Sequence, residues 1–400
     1  MKKKVSIIGS GACALALALE LNTELFEITI YEKSKSAGRK FLVAGQGGLN
    51  ITHSESPTSF IEKYTPKIFL EKAFQQFSNI DFINWLDQLG IETFVGSSKR
   101  IFPVSNLKPI QVLNILLDKI KTKKIRFLFE HEWAGFNETK LLFKTPKEKV
   151  EISSDFTVFC LGGASWHVTG SDGSWKDFFK TKGVQVNNFE ASNCTFLIHW
   201  PEILIPKLAG KSLKNISISC HNVNHLGEIT FTAQGIEGSG VYPLSPQIRA
   251  DLKANNGKAI LNVDLKPSLS KAQLVEKINK INAKNNYTEQ IKREINLPSF
   301  LIQLLKFYLT KEEFLNAETL AEKIKSFPLV VYRCGAITEA ISTVGGIDLN
   351  EIDENFQIKK LPQHFAIGEM LDYDAPTGGY LLQSCFTMGV VLARKLNNIF

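Results

Sequence analysis

The chemistry that this sequence can support begins with two glycines and one acidic residue near its start. The stretch Gly9-Ser10-Gly11-Ala12-Cys13-Ala14 follows a short apolar run, and Glu32 ends a second apolar run. In a strand-turn-helix unit of this kind, the first glycine makes a tight turn, the second lets the backbone approach a pyrophosphate, and a small residue such as Ala14 lets helix and strand pack closely. Glu32 lies 21 positions after Gly11, close to the offset of roughly 20 residues at which a carboxylate reaches an adenosine ribose. The pattern predicts a bound NAD(P) or FAD.

Two further glycine-rich segments are placed to meet the same ligand. Gly38-Arg39-Lys40 comes soon after the acidic residue, and a loop from Gly45 to His53 follows it. Arg39 and Lys40 could complement a diphosphate, with an exposed basic turn as the alternative. Near the other end of the chain, Gly378-Gly379 leads into the last helix, whose N-terminus would stabilise negative charge on a flavin ring. Ordinary turn and capping chemistry is the alternative there.

The elements that must position these segments are indicated by the hydrophobic patterns. Residues 156–161 form a buried apolar run that ends in Gly162-Gly163, the pattern of a parallel strand arriving at a ligand crevice. Helical periodicity covers 69–89 and 109–121. Short alternating runs from 191 to 264 indicate an antiparallel sheet, and 268–325 again has a helical period. We therefore expect an α/β fold with a discontinuous Rossmann-type domain at 1–190 and 340–400, a β-rich inserted domain at 191–266 and 326–339, and a helical subdomain at 267–325.

The composition is that of an ordinary globular enzyme, with 44% hydrophobic and 22% charged residues among 400. Six cysteines lie far apart without a CxxC pair, so we expect neither a metal site nor a redox dithiol. The net charge of +7 favours solubility over a nucleic-acid surface. The basic start Met1-Lys2-Lys3-Lys4 resembles a secretion signal, but two glycines interrupt the apolar core that follows, and no other window is long enough to span a membrane. We expect a soluble cytoplasmic protein without membrane contact.

The motifs together resemble a family of bacterial two-domain flavoproteins, the NAD(P)/FAD-dependent oxidoreductases. The family includes proteins described as aminoacetone oxidases, 3-dehydro-bile-acid reductases and a ribosomal RNA dihydrouridine synthase. The resemblance covers nearly the whole chain and rests on the segments above, with Arg100 to Pro103, Leu161 to Ser165, Thr169 to Gly173 and Gly345-Gly346. The segments at 235–239 and 369–376 look closer to a subgroup other than the named enzymes.

The resemblance implies FAD, held by a Rossmann-type domain of the three-layer ββα flavoprotein type, together with an inserted barrel-like domain and a helical cap. Trp133 is a candidate neighbour of the adenine, with a core aromatic as the equal alternative. The other expected cofactor neighbours are Gly9, Gly11, Ala12, Cys13, Ala14, Glu32, Lys33, Gly38, Arg39, Lys40, Gly45, Gly47, Gly48, Asn50, Gly162, Gly163, Gly368, Glu369, Gly378, Gly379, Tyr380 and Leu381.

One segment departs from the family pattern. Where many relatives have Gly-Gly-Gly-Arg-Cys-Asn, this chain has Gly45-Gln46-Gly47-Gly48-Leu49-Asn50. The arginine and the cysteine are replaced by Gly48 and Leu49. Any activity that needs a thiol acid or an arginine anion clamp at this loop is therefore in doubt.

The resemblance also defines the expected chemistry. Flavin would supply hydride transfer at N5, while a nearby group handles the proton. Candidates for that group are His53, Tyr373 and Tyr380, with a structural role as the alternative for each. The leading hypothesis is reduction of a C=C bond conjugated to a carbonyl in a small molecule, with NAD(P)H as a transient donor because no second dinucleotide motif is evident. The alternatives are a flavoenzyme that reduces uridine in ribosomal RNA and an amine or amino-ketone oxidase that uses oxygen.

Overall fold

The computed structural model describes residues 1–45, 48–104, 107–281 and 286–399. The chain divides into two compact units. The first combines Met1–Ser192 with Ile337–Phe400, and the second is Asn193–Ala336. The finer division expected from the sequence, with a separate helical subdomain at 267–325, stays a prediction. Within the described ranges, no helix combines the length and the apolar character needed to cross a membrane.

Strands and helices alternate in the first part of the chain, as the periodicities indicate. The strands are β1 (Lys3–Ile8), β2 (Phe26–Glu32), β3 (Thr52–His53), β4 (Thr93–Val95), β5 (Arg100–Pro103), β6 (Arg126–Phe129), β7 (Glu132–Asn137), β8 (Lys140–Lys144), β9 (Lys149–Ile152), β10 (Phe156–Phe159), β11 (Val186–Ser192), β12 (Phe196–Leu197), β13 (Ser212–Cys220), β14 (Val223–Phe231), β15 (Gly235–Glu237), β16 (Ala259–Asp264), β17 (Phe327–Val331), β18 (Arg333–Cys334), β19 (Ser342–Ile347) and β20 (His364–Ala366).

The helices are α1 (Ala12–Glu20), α2 (Arg39–Ala44), α3 (Pro57–Ile61), α4 (Lys67–Gln76), α5 (Asn79–Gln88), α6 (Pro109–Thr122), α7 (Lys176–Lys180), α8 (Ile205–Leu208), α9 (Ser245–Ala254), α10 (Lys271–Asn279), α11 (Tyr287–Ile295), α12 (Ser299–Tyr308), α13 (Lys311–Leu315), α14 (Ala317–Lys325) and α15 (Tyr380–Asn397).

The first unit is built on a parallel sheet with the strand order β20-β10-β1-β2-β6. Its strands are apolar because helices and loops cover the sheet; all four residues of β10 are buried, for example. In the register of the sheet, Ile8 lies beside Tyr31 on one side and beside Phe159 on the other. The carboxyl ends of β1, β2, β10 and β20 therefore lie along one edge. The α/β Rossmann-type fold is confirmed.

The predicted helical run over 69–89 is two helices, α4 and α5. Ser78 breaks the run because its side chain accepts from the backbone N–H of Asp81, while the Asp81 carboxylate accepts from the backbone N–H of Ser78. Such a capping box starts a new helix. The apolar periodicity continues across the break, so periodicity alone could not locate it.

The other sheets of the first unit are small and antiparallel: β7-β8-β9, β3-β5-β4 and the pair β11-β19. In the second unit, an antiparallel sheet has the order β17-β16-β13-β14-β15-β12-β18. The helices α10 to α14 follow one another between β16 and β17. The sequence pattern, which changes from buried apolar runs to short alternating runs, thus corresponds to a change from a parallel to an antiparallel sheet.

Candidate active site

The glycine turn after β1 presents an open helix start. Gly9 has φ 96°, and a Cβ atom there would lie 2.5 Å from the Cys160 carbonyl oxygen, so only glycine fits. Gly11 caps α1, and a Cβ atom there would meet no described atom within 4 Å apart from its chain neighbours. The first backbone N–H groups of a helix lack partners within the helix and attract anions. The turn therefore leaves space for a phosphate at the start of α1, where Ala12, Cys13 and Ala14 lie.

Glu32 holds the end of β2 against this turn. Its Oε2 atom accepts hydrogen bonds from the Ser10 backbone N–H at 3.1 Å and from the Ser10 hydroxyl at 2.6 Å. Its Oε1 atom accepts from the Ser34 backbone N–H at 2.8 Å. Each carboxylate oxygen can accept two hydrogen bonds. Oε1 therefore keeps capacity for one more donor, such as a ribose hydroxyl.

Lys33 and Arg39 contact the segment that follows β10. The Lys33 ammonium lies 2.9 Å from a carboxylate oxygen of Asp172. The Arg39 guanidinium donates to the Val168 carbonyl at 2.7 Å. Both cations thus already have protein partners, and their predicted role beside a diphosphate stays a prediction.

Lys40 links the start of α2 to the segment after β20. Its ammonium lies 2.7 Å from Oε2 of Glu369 and 2.9 Å from the Ser165 hydroxyl. The ion pair is largely shielded, with 26% of the Lys40 side chain and 13% of the Glu369 side chain exposed. Such a pair is stronger than a surface salt bridge because water screens it less. It fixes two predicted cofactor neighbours against each other.

The remaining predicted glycines lie at the ends of these same elements. Gly38 precedes α2 and Gly45 follows it, Gly162 and Gly163 come after β10, and Gly368 comes after β20. A Cβ atom on Gly368 would lie 2.5 Å from the Cys13 sulfur and 3.7 Å from the Cys385 sulfur. Glycines predicted from separate motifs therefore share one edge of the sheet. Gly47 lies outside the described residues.

The second glycine-rich loop packs against the start of α15. A Cβ atom on Gly379, which has φ 91°, would lie 2.5 Å from the Thr52 Cα atom and 2.9 Å from Oδ1 of Asn50. Gly48 and Gly378 flank this contact, and Leu381 lies in the first turn of α15. The loop and the helix start thus touch through backbone, although hundreds of residues separate them.

The Asn50 side chain has the chemistry of a ligand-binding group. Its Nδ2 and Oδ1 atoms are both buried, and neither has a hydrogen-bond partner among the described residues. A buried polar group without a partner costs about 1 to 3 kcal/mol. The amide lies beside the N-terminus of α15, where it could donate to and accept from a polar ring edge. The open helix start at Gly11 fits the diphosphate of an FAD molecule, and this unpartnered amide fits the edge of its flavin ring.

His53, Glu55 and Tyr380 form a polar cluster at the same place. The Tyr380 hydroxyl donates to Oε1 of Glu55, and the His53 ring stacks on the Tyr380 ring with centroids 5.7 Å apart. The Glu55 backbone N–H donates to Nδ1 of His53 at 3.2 Å. Asn79 holds the loop, since its Nδ2 atom donates to the His53 and Glu55 carbonyls at 2.8 and 2.9 Å.

Burial sets the protonation of this cluster. It raises the pKa of Tyr380, and the hydrogen bond to Glu55 raises it further, against an opposing effect of Arg100. It lowers the pKa of His53, with Arg100 acting in the same direction. Tyr380 is therefore a protonated phenol, and His53 is a neutral imidazole at neutral pH.

Tyr373 lies apart from this cluster, in the core. Only 2% of the residue is exposed, and its hydroxyl lies 2.7 Å from the Ser384 hydroxyl, which itself donates to the Leu381 carbonyl. Burial raises the pKa of Tyr373 well above its ordinary value. Its catalytic role stays a prediction, and its surroundings suit a structural role.

Trp133 is buried in β7 among Phe159, Phe178 and Phe179, with ring centroids 4.7 to 5.3 Å away. Its Nε1 atom is buried without a partner among the described residues. A core aromatic explains the packing but not the unpartnered N–H group. The adenine role stays a prediction.

Glu55 and Arg100 complete the site beyond the predicted residues. Glu55 was not identified, and Arg100 was noted only within the resemblance. No local pattern in the sequence marks either residue, because Glu55 lies in a bend after β3 and Arg100 lies on a different strand. Glu55 comes two positions after His53, and Arg100 is the partner of His53 in the β3-β5 pairing.

The fold and the site together define a Rossmann-type FAD-binding protein. The chain belongs to the HI0933-like family, because the family described as HI0933-like protein Rossmann domain matches residues 3–395. It is an enzyme of the flavin-dependent oxidoreductase class.

Named relatives match the chain over almost all of its length. The ribosomal RNA dihydrouridine synthase of Escherichia coli strain K12 is 21% identical, over 98% of this chain and 97% of the relative. The 3-dehydro-bile acid delta(4,6)-reductase of Clostridium scindens is 22% identical, over 98% of each. The solved 3-ketosteroid-delta4-(5alpha)-dehydrogenase of Rhodococcus jostii, in complex with 4-androstene-3,17-dione, has a TM-score of 0.51 at 11% identity, over 98% of this chain and 96% of that one. The last likeness concerns the fold.

Proposed function

We propose that this enzyme reduces a C=C bond conjugated to a carbonyl in a small molecule, with NAD(P)H as a transient electron donor, in the cytoplasm. The observation that carries the proposal is the protonated Tyr380 phenol, held by Glu55 in the first turn of α15, whose N-terminus lies beside the unpartnered Asn50 amide. Reduction of a conjugated C=C bond adds one hydride and one proton. A site with a flavin at one side and a neutral acid at the other supplies both.

The cofactor would be held along the sheet edge. The start of α1 at Gly11 would receive the diphosphate, and Glu32 the adenosine ribose. Asn50 and the N-terminus of α15 would face the pyrimidine edge of the flavin, which carries both acceptors and a donor. Bound FAD supplies hydride transfer at its N5 atom.

Tyr380 would deliver the proton. Its raised pKa keeps the phenol protonated at neutral pH. The O–H group donates to Glu55 in this structure, so it would have to turn from that carboxylate towards the substrate before the proton is transferred. The Phe60 ring packs against the Tyr380 ring, with centroids 4.6 Å apart, and limits its movement. A fixed acid within reach of the substrate contributes typically 10²- to 10⁴-fold, on the order of the general-acid effect in other enzymes.

The alternative substrate is uridine in ribosomal RNA. One observation favours it: the dihydrouridine synthase relative matches 98% of this chain. The net charge of +7 is compatible with an anionic partner. Uridine also carries a C=C bond conjugated to a ring carbonyl. The two candidate substrates therefore require the same reaction and differ in size.

Anaerobic spectroscopy tests the proposal. The purified protein should show a flavin spectrum, bleach with NADH or NADPH, and regain colour when an enone is added. A colourless protein that takes up no FAD would contradict the cofactor assignment, and a flavin that neither nucleotide reduces would contradict the donor. Peroxide release with amines or amino-ketones in air would instead favour an oxidase.

A deletion strain separates the two substrates. Loss of dihydrouridine from its ribosomal RNA, with RNA binding that weakens steeply as salt increases, would support the RNA substrate. Unchanged ribosomal RNA in that strain would eliminate it and leave the small-molecule enone.

A further inference from the structure

In the second unit, three side chains of different chemistry converge on one point. They are Cys220, His221 and Asp251, and one potential ligand atom of each lies within 4.8 Å of the other two. The Cys220 sulfur lies 3.7 Å from Oδ2 of Asp251, and Nε2 of His221 lies 2.5 Å from Oδ1 of the same carboxylate.

Two elements bring these side chains together. Cys220 ends β13, and its pairing with Val223 leaves His221 and Asn222 as a two-residue hairpin turn. Asp251 comes from α9, thirty positions later, and only 7% of it is exposed. The sequence expectation of no metal site relied on the absence of paired cysteines, which does not test for ligands contributed by a turn and a distant helix.

The backbone at His221 lies in the left-handed region, with a φ of 51°. Few residues other than glycine adopt this region, although histidine and asparagine do so more often than most. Glycine would form this turn without strain. A histidine at such a position directs an imidazole over the Asp251 carboxylate and the Cys220 thiol.

We propose that Cys220, His221 and Asp251 form a Zn²⁺ site that ties the β13-β14 hairpin to α9. Thiolate, imidazole and carboxylate are the donors that Zn²⁺ prefers. With ordinary Zn–S, Zn–N and Zn–O bonds, tetrahedral coordination separates the donor atoms by about 3.4 to 3.6 Å. The Cys220 to Asp251 separation of 3.7 Å is close to this range.

Binding requires one local adjustment. With Oδ2 of Asp251 as the ligand, the His221 ring must give up its contact with Oδ1, so that Nε2 can bind the metal instead. The ring can do so because 62% of the side chain is exposed. Oδ1 keeps a second donor, the Asn255 side-chain amide at 3.3 Å. The exposed imidazole leaves the fourth position open to water.

The bound metal would replace the thiol proton of Cys220, which leaves to solvent, and the charge of the thiolate and carboxylate would balance that of the ion. The site lies within the antiparallel unit and uses no residue of the flavin site. Its test is therefore independent of the proposed reaction.

Titration of the full-length FAD-loaded protein with Co²⁺ tests the site, because a thiolate ligand gives a charge-transfer band and tetrahedral Co²⁺ absorbs at wavelengths beyond the flavin. One equivalent of Co²⁺ should produce these bands, and Zn²⁺ should displace it. Loss of a residue that only supports a ligand weakens metal binding by about 10- to 100-fold. Loss of a ligand should therefore weaken Co²⁺ binding by at least about 100-fold.

His221→Asn is the decisive variant, since asparagine favours the left-handed turn and the hairpin should fold. It should abolish the one-equivalent site, and Cys220→Ser should remove the charge-transfer band. The matched controls are His199→Asn, an exposed histidine of the same unit, and Cys334→Ser. Bands that survive in His221→Asn and Cys220→Ser, or no bands in the unmodified protein, would overturn the proposal.

Discussion

The Tyr380 hydroxyl donates a hydrogen bond to the Glu55 carboxylate across a separation of 325 residues. Tyr380 is the first residue of α15, and Glu55 follows β3 in the loop that packs on that helix start. The Tyr64 hydroxyl donates to the Tyr380 carbonyl at 2.7 Å and fixes the same turn. The chain thus brings a phenol and a carboxylate together from two distant parts of the first unit.

Tyr380→Phe should remove the proton donor and leave the cofactor site intact. We expect reoxidation of the reduced flavin by an enone to slow by about 10²- to 10⁴-fold, because the ring remains and only the O–H group is lost. Single-turnover stopped-flow absorbance measures this step apart from flavin reduction. Tyr287→Phe, in the second unit, is the control. An unchanged reoxidation rate with Tyr380→Phe would exclude the phenol as the acid.

Tyr373→Phe separates the other tyrosine candidate from Tyr380. The Tyr373 hydroxyl bonds only to Ser384 among the contacts described, deep in the core. Loss of one buried hydrogen bond should lower the free energy of unfolding by about 1 kcal/mol. The rate of flavin reoxidation in Tyr373→Phe should stay at least about tenfold higher than the rate in Tyr380→Phe. Denaturant unfolding and the same stopped-flow assay give the two quantities, and an equal loss of rate in both variants would assign Tyr373 a catalytic role.

Asn50→Ala tests the fit of the cofactor. Its amide has no partner among the described residues, so the apoprotein should lose little stability when the amide is removed. The rise in melting temperature on adding FAD should shrink, because ligand stabilisation depends on the ratio of free ligand to Kd. Differential scanning fluorimetry of the apoprotein with increasing FAD measures both effects. Asn22→Ala is the control, and an unchanged FAD response in Asn50→Ala would remove this residue from the site.

The sequence predicts the sheet edge well because that edge depends on local patterns. Gly9 and Gly162 follow apolar strands and Glu32 ends one. A parallel sheet places the ends of such strands together whatever the helices between them do. The predicted start of the last helix at Gly379 is likewise a local signal, and the structure begins α15 at Tyr380.

The polar cluster could not be derived in the same way. Glu55 meets Tyr380 only because α5 and its Asn79 side chain hold the loop after β3 in place. The break between α4 and α5 depends on the side chain of Ser78, which apolar periodicity does not register. Contacts that need three separate elements to meet have no signature in a single stretch of sequence.

His364→Gln should make the first unit less sensitive to acid. Burial lowers the pKa of His364, nearby Lys182 lowers it further, and the Pro362 carbonyl opposes both. The unfolded chain binds a proton near the ordinary pKa of 6.5, whereas the folded chain binds it only at lower pH. As the pH falls through 6.5, the unfolded state therefore binds more protons than the folded state. The free energy of unfolding then decreases until the pH reaches the lower pKa of the folded state.

His53 has a pKa lowered in the same direction, so the variant should reduce the acid sensitivity without removing it. Denaturant unfolding between about pH 7.5 and about pH 5 measures the slope. We expect a smaller loss of stability in His364→Gln than in the unmodified protein over this range. His199→Gln, at an exposed position of the second unit, is the control for a histidine-to-glutamine change away from His364. Equal slopes in His364→Gln and the unmodified protein would show that His364 binds its proton equally well in the folded and unfolded states, against the effect of its burial beside Phe159.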